Sequence, residues 1–304
     1  MAKRTRAAKG HYVGCTIKQL PPEKRDAGAR EAVQINPVNA PMRTFLPELL
    51  GAIVTAAPHG TMLTSSYWGA GGVKLTVGFF DRAATAQFRA RILGHMNAWG
   101  EFSNVEFRDV GDVSKAQVRI SRAKGGYWSY LGTDILQIPK NQQTMNLEGF
   151  TMSTPESEFV RVVRHEVGHT CGFPHEHFRA DIVARLDPEK TIAYFSATQG
   201  WSRQEVIQQV LTPLDPASIV ATPAGDTLSI MCYQLPGSIT RDGNPIAGGA
   251  DFDQTDREFA AKMYPKSVGP PVVTPPVVIG GGVYTLTAFD DAGKELYRFG
   301  RLAK

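Results

Sequence analysis

Residues 165 to 175 read His-Glu-Val-Gly-His-Thr-Cys-Gly-Phe-Pro-His, and each reactive side chain in this run has a place in a hydrolytic metal centre. On a helix, His165 and His169 stand one turn apart on the same face, so both imidazoles reach one Zn²⁺ at about 2.0–2.1 Å. Glu166 then lies beside the metal without ligating it. Gly172 accepts the left-handed conformation that ends a helix, which turns the chain back and delivers His175 as a third nitrogen ligand. Three neutral donors leave the fourth position for water. The pKa of that water falls toward ~7, and Glu166 is placed to take its proton as it attacks a carbonyl. Accidental occurrence of the spacing has a chance on the order of 10⁻⁵, so the alternative to weigh is a structural zinc. Structural sites are usually closed by four ligands rich in Cys, whereas this run offers three His and a carboxylate. His177, two residues beyond His175, is read as a neighbour of the site rather than a ligand. The expectation is a zinc endopeptidase acting on protein or peptide substrates. Its competitor is a zinc-stabilised module, latent or non-catalytic, that binds peptides without cutting them; the presence of Glu166 argues against that reading, because a binder has no need of a base there.

The eleven residues match the metzincin clan of zinc metallopeptidases, and His175-Glu176-His177-Phe178-Arg179-Ala180-Asp181 resembles the continuation found in the astacin family of that clan. Ser229-Ile230-Met231-Cys232-Tyr233 is similar to the family's Met-turn. Gly126-Tyr127-Trp128-Ser129-Tyr130-Leu131-Gly132 resembles the stretch leading into its substrate-facing strand, and Trp68-Gly69-Ala70-Gly71-Gly72-Val73 its opening. The resemblance covers about residues 66 to 266. It implies an α+β fold: a twisted mixed sheet with helices in an upper half, a mostly irregular and helical lower half, and the zinc cleft between them. It also implies roles: Met231 as a hydrophobic floor under the zinc, Tyr233 as a phenol that ligates zinc at rest and hydrogen-bonds the tetrahedral intermediate, and Glu176 as a buried acid pairing with an N-terminus freed by propeptide removal. In some relatives a basic residue favours acidic side chains after the cut; Arg241 is one candidate for it here, although its first reading is a solvated loop arginine.

These groups need elements to hold them. Alternation at Val73, Leu75, Val77 and Phe79 marks a strand, and Phe88, Ile92, Met96 and Trp99 recur at helical spacing. Short strands are expected around 105–107, 118–120 and 135–138, with Thr154 and Pro155 opening the zinc helix. Ser202 with Glu205 and Thr255 with Glu258 have the spacing of capping boxes for two later helices. Residues 1–60 hold one helix after Pro21-Pro22, ending near Asn36-Pro37, and read as a pro-segment or wrap before a catalytic domain at 61–266. The Pro- and Gly-rich stretch 267–282 is a linker, and 283–304 a hairpin-like tail.

Composition narrows the class. The 304 residues carry a formal charge of +4 and 42% hydrophobic residues, enough for one good core. Lys3, Arg4 and Arg6 are too few to suggest nucleic-acid binding, and no apolar stretch approaches a membrane span. The basic start is followed by His11-Tyr12-Val13-Gly14-Cys15 instead of an apolar run, so no conventional secretory signal is expected, leaving a cytoplasmic location or a non-classical route of export. Assembly state is not legible. Three cysteines cannot all pair within one chain, and Tyr127 stands where the family pattern has a cysteine; Cys171 and Cys232 are expected as buried thiols. Cys15, in Val13-Gly14-Cys15-Thr16-Ile17, reads first as a small buried hydrophobe; the alternative is that it precedes the catalytic domain as a latency ligand, since a thiolate binds zinc strongly and could fill the open position.

Overall fold

The computed structural model describes residues 15–36, 39, 66–215, 219–221 and 224–266 in full, and the backbone of strands at 61–63, 284–289 and 295–301. Sequence features in 1–14 and in the 267–282 linker lie outside the described residues. Two units are present, Met1–Lys266 and Ser267–Lys304. The second contains an antiparallel pair, Tyr284–Phe289 with Glu295–Arg301. Among the described residues no helix is long and apolar enough to cross a membrane.

The first unit is built on a six-stranded sheet. Its strands are β1 (Cys15–Lys18), β3 (Val73–Phe79), β4 (Val105–Asp109), β5 (Val118–Ser121), β6 (Tyr127–Tyr130) and β7 (Met145–Leu147), in the order β1-β6-β7-β5-β3-β4. A short β2 (Thr61–Leu63) pairs separately with β8 (Ile219–Ala221). Neighbours β4, β3, β5 and β7 run parallel, and β6 turns antiparallel to β7. Helix α1 (Pro22–Ile35) follows β1, and α2 (Ala86–Met96) follows β3.

Period-two alternation makes β3 one-sided: Val73, Leu75 and Val77 are buried while Lys74 is exposed. Helix α2 returns Phe88, Ile92 and Met96 to the same core, which Trp99 extends in the following 3₁₀ turn. Thr85 caps α2 by accepting from Phe88 N. Ile182, Leu186, Phe195, Val206, Val210 and Leu235 form a second buried cluster among the short helices and turns that follow the histidine run. The arrangement is the expected mixed sheet with helices.

Three local expectations are corrected. Residues 135–138 are not a strand: Gly132–Gln137 is a 3₁₀ helix, entered through Gly132 at φ +47°, where a Cβ would collide with the Ser66 carbonyl. Thr154 does not cap the histidine helix, because its hydroxyl accepts from Thr151 N in the preceding turn. Pro155 stands at the cap, and the chain passes through helix Glu156–Glu158 and a π-helical turn, Phe159–Val163, into helix Arg164–Thr170. The last helix, Gln254–Met263, is opened by Asp253 with Asp256 rather than by Thr255 with Glu258. Ser202 and Glu205 do form their capping box.

Candidate metal centre

Helix Arg164–Thr170 puts His165 and His169 on one face, and the chain leaves it as the glycine spacing requires. Gly172 sits at φ +98°, its N–H donating to His169 O at 2.8 Å, and Phe173 N–H donates to Gly168 O at 2.9 Å. This reversal returns His175 to the helix. His175 Nε2 lies 3.2 Å from His165 Nε2 and 3.0 Å from His169 Nε2. His165 Nδ1 donates to Ile230 O at 2.7 Å and His169 Nδ1 to Phe173 O at 2.8 Å, which leaves a lone pair on each Nε2. One hydrogen on His175 Nε2 can satisfy only one of the two lone pairs facing it. A cation satisfies all three nitrogens at once, and tetrahedral ligands at zinc distances stand about 3.3–3.4 Å apart, close to the spacing seen. The donor set therefore fits a zinc ion.

Burial sets the electrostatics. It pushes the His165 pKa down to about 4, partly offset by the bond to Ile230, and holds those of His169 and His175 well below their ordinary value, so the imidazoles are neutral donors. Glu166 is fully buried, and desolvation lifts it to about 8. The Cys15 thiol is also buried, raised by desolvation and then by the Glu166 carboxylate to which it hydrogen-bonds. A cation among the three nitrogens acts on both acids in the opposite sense.

Cys15 is the fourth member of this cluster: its sulfur and a nitrogen from each of His165, His169 and His175 all lie within 4.8 Å of one another. Strand β1 carries it there by pairing parallel to β6, with Cys15 opposite Tyr127 and Lys18 opposite Tyr130. His177 stands apart from the cluster. Its Nε2 bonds to Gln209 O at 3.0 Å, burial holds its pKa down near 3, and its ring lies 4.0 Å from that of Tyr233.

The residues after the histidines form a floor. Cys232 N donates to Ser229 O and Met231 N to Ser229 Oγ, closing a tight turn that seats Met231 under the helix, where a Cβ on Gly168 would strike its sulfur. Tyr233 is fully buried with its ring 4.5 Å from that of His175. Glu176 is buried, its N–H donating to Met231 O and its Oε1 accepting from Asp226 N at 3.1 Å. Arg241 is exposed in a loop, its N–H donating to Arg185 O. Cys171 and Cys232 are free buried thiols.

Two groups that hold the site escaped the sequence reading. Asp256 accepts from Ser229 Oγ at 2.7 Å and from Ile230 N at 2.9 Å, and so fixes the turn whose Ile230 carbonyl orients His165. Desolvation lifts its pKa to about 7. Thr170 Oγ1 meets Ser129 Oγ at 3.1 Å, tying the histidine helix to β6, while Trp68 Nε1 donates to Thr170 O at 2.9 Å. The Asp253-Asp256 spacing was the available signal for the first; the second had none, since Ser and Thr on buried faces carry no pattern.

The sequence profile of the Astacin peptidase family matches residues 64–206. A solved structure of myroilysin is 31% identical, covers 69% of this chain and 100% of that one, and superposes with a TM-score of 0.63. The chain belongs to the astacin family. A second, crystal structure of myroilysin is 32% identical over 66% of this chain and 87% of that one, with a TM-score of 0.50. The zinc metalloproteinase nas-27 of Caenorhabditis elegans is 36% identical over 103 residues, 34% of this chain and 22% of that protein, so the chain spans about a fifth of that relative's length. Astacins are zinc metallopeptidases with one catalytic zinc, and the histidine cluster suits such an ion.

Proposed function

We propose that this astacin is a zinc endopeptidase whose N-terminal segment holds it latent through Cys15. The observation that carries the reading is the convergence of three imidazole nitrogens, the buried Glu166 and the Cys15 thiol on one point beside the start of β6, where Cys15 pairs with Tyr127. His165, His169 and His175 would hold the zinc, which when bound polarises a scissile carbonyl and acidifies water. Glu166 accepts the proton of the attacking water. As the amide C–N bond breaks, the carboxyl returns that proton to the leaving nitrogen, so the base is regenerated. Tyr233, packed against His175, donates its phenolic hydrogen to the oxyanion formed at the carbonyl. Met231 supports the helix from below, and Ser129 with Thr170 keeps the strand that receives the substrate in register with the histidines.

Cys15 occupies the place the substrate needs. A parallel strand supplies fewer well-aligned bonds than an antiparallel one, but it brings a sulfur to the histidines in place of a scissile carbonyl. Residues 1–60 are on this reading the segment removed on activation.

The test is hydrolysis of a general protein substrate by wild type, Cys15→Ser, and the Cys15→Ser protein carrying Glu166→Gln, with zinc content measured on each. Cys15→Ser should raise the rate at least several-fold over wild type, and Glu166→Gln should remove it at full zinc content. Zinc-loaded Cys15→Ser protein without hydrolysis would favour the non-catalytic binding module. Tyr233→Phe should lower kcat more than it raises KM.

A further inference from the structure

Where β6 ends, the groove opens into a cavity of about 410 Å³. One wall belongs to the N-terminal segment. The other includes Ser66, Leu131, Asp134, Pro174, Phe178 and Leu214, with Pro174 next in sequence to His175. Asp134 is the acid of that wall. It sits in the first turn of the 3₁₀ helix Gly132–Gln137, and its carboxylate accepts from Ser66 Oγ at 3.4 Å with no ion-pair partner among the described residues. Burial lifts its pKa from 3.8 to about 6, and Ser66 offsets only part of that cost. A carboxyl serving only the fold would be expected to have found a cation or several N–H donors.

The segment covers this acid with its least obtrusive residue. Gly28 of α1 lies over it, a Cβ there being 3.8 Å from Asp134 Oδ1. The segment also brings two cations into the same cavity, Lys18 and Arg25, yet neither pairs with Asp134. Lys18, level with Tyr130 on β6, lays its ammonium over the Trp128 ring at 5.2 Å, and Arg25 donates to Leu20 O at 3.1 Å. Lys18 thus links the cavity that holds Asp134, a carboxylate without an ion-pair partner among the described residues, to a cation-accepting aromatic face at Trp128, two residues before Tyr130 on β6.

We propose that this end of the groove, once the segment has left it, is a subsite for a Lys or Arg side chain of the substrate, with Asp134 as its counter-charge and Trp128 as its bed. The assignment rests on the peptidase reading and supplies its specificity. A substrate strand antiparallel to β6 makes the better-aligned ladder, and it runs in the direction opposite to β1. Its residue level with Tyr130 then precedes the one at the histidines, so the basic residue falls about three or four positions before the cut.

Two measurements decide it, both on the full-length chain carrying Cys15→Ser so that the groove can open. In the first, with Glu166→Gln added, the affinities of two peptides differing only in Lys or norleucine at that position are compared. The Lys peptide should bind about 3- to 10-fold more tightly, with the advantage lost in Asp134→Asn and kept in Asp134→Glu. Equal affinities for the two peptides, or an advantage that survives Asp134→Asn, overturns the subsite whether or not the protein cleaves. In the second, with Glu166 intact, cleavage profiling should enrich Lys and Arg over neutral residues at that position, and Asp134→Asn should bring the ratio of basic to neutral residues there to about one. Cleavage without enrichment also overturns the subsite. Zinc-loaded protein that binds the Lys peptide preferentially but cuts nothing overturns the peptidase reading and leaves the subsite standing.

Discussion

Residues 15–36 of the N-terminal segment and the body they cover both meet at the histidines, but they are held by different physics. In the body, Trp99 stacks on Phe173 at 5.1 Å, meets Phe252 edge-on at 4.7 Å and donates from its indole to Arg164 O. Large side chains with fixed partners fill that core. The segment buries Cys15, Leu20, Gly28 and Ala32, mostly small groups, and is anchored by Lys24 on the Gln137 carbonyl and by Gln137 with Glu31. One region makes the core and the other lies on it as a ligand would. The lesson is that β pairing can be continuous across the sheet while its energy is not. Substitutions in the body should cost stability, and substitutions in the segment should cost coverage of the groove.

The largest effect is expected in the body. Trp99→Ala removes a fully packed ring and its hydrogen bond and should cost about 3–5 kcal/mol, read as a fall in Tm of roughly 10 °C. A change under a few degrees would mean the aromatic cluster is not the body's keystone. Gly168→Ala is a finer probe of the same region. Helix propensity would favour alanine by about 1 kcal/mol, but its Cβ runs into Met231 Sδ and lies 3.1 Å from Trp99, so overpacking of about 1–3 kcal/mol should prevail. Lower Tm together with weaker zinc retention is the expected result; a stabilised protein would show that Met231 yields freely.

What was legible follows the same division. The His165 to His175 run encodes its own geometry, because a helix repeat and one left-handed glycine bring the three imidazoles together without help from distant sequence. The strand at Val73–Phe79 and the helix after Thr85 were equally plain, since each is half-buried and so keeps a clean period. Residues 135–138 misled because an apolar pair around Leu136 and Gln137 fits a short strand as well as a 3₁₀ turn. Gly132, whose backbone must pass the Ser66 carbonyl, decides between them, and that approach is a tertiary fact. β7 at Met145–Leu147 was missed because three residues are too few to show a period, and its polar Asn146 is buried through bonds to the Ala123 and Gly126 carbonyls that only the fold supplies. Asp253 displaced Thr255 as a cap because a carboxylate two residues earlier reaches Asp256 N at 2.8 Å, and only the fold shows that Asp256 is also spoken for by the Met-turn.

In the segment, Gly28→Val separates coverage from stability. A Cβ at residue 28 would come within 2.6 Å of Leu20 Cδ1 and 3.4 Å of Gln137, and a branched side chain extends farther toward Asp134. Leu20 can move aside, so the cost should be about 1–2 kcal/mol and should fall on docking of α1. Limited proteolysis within the segment should accelerate roughly 5- to 30-fold while the Tm of the body stays within about 2 °C. If the Tm falls with it, the segment is part of the core and the contrast drawn above is broken.

The smallest effect expected is a pH dependence of that docking, carried by Asp134. Its pKa stands at about 6 in the covered state, against 3.8 for an ordinary aspartate, because α1 and the cavity walls take it out of water. The covered state therefore binds more protons than the open one between these two values. Stability of docking then falls as pH rises from about 4 to about 6 and levels off above that, since beyond both pKa values each state carries the same charge. The full shift corresponds to about 3 kcal/mol, but part of the desolvation comes from the body itself, and a fluctuating segment readmits water, so about 1 kcal/mol is the reasonable size for docking alone. Hydrogen exchange of the α1 amides, corrected for its intrinsic pH dependence, should report opening that becomes about five times more frequent across that interval. Asp134→Asn, which is neutral throughout, should flatten the profile and keep α1 protected at pH 7. An unchanged slope in Asp134→Asn would place the titrating group elsewhere, and no slope in wild type would mean that the segment leaves Asp134 wet even while it covers the histidines.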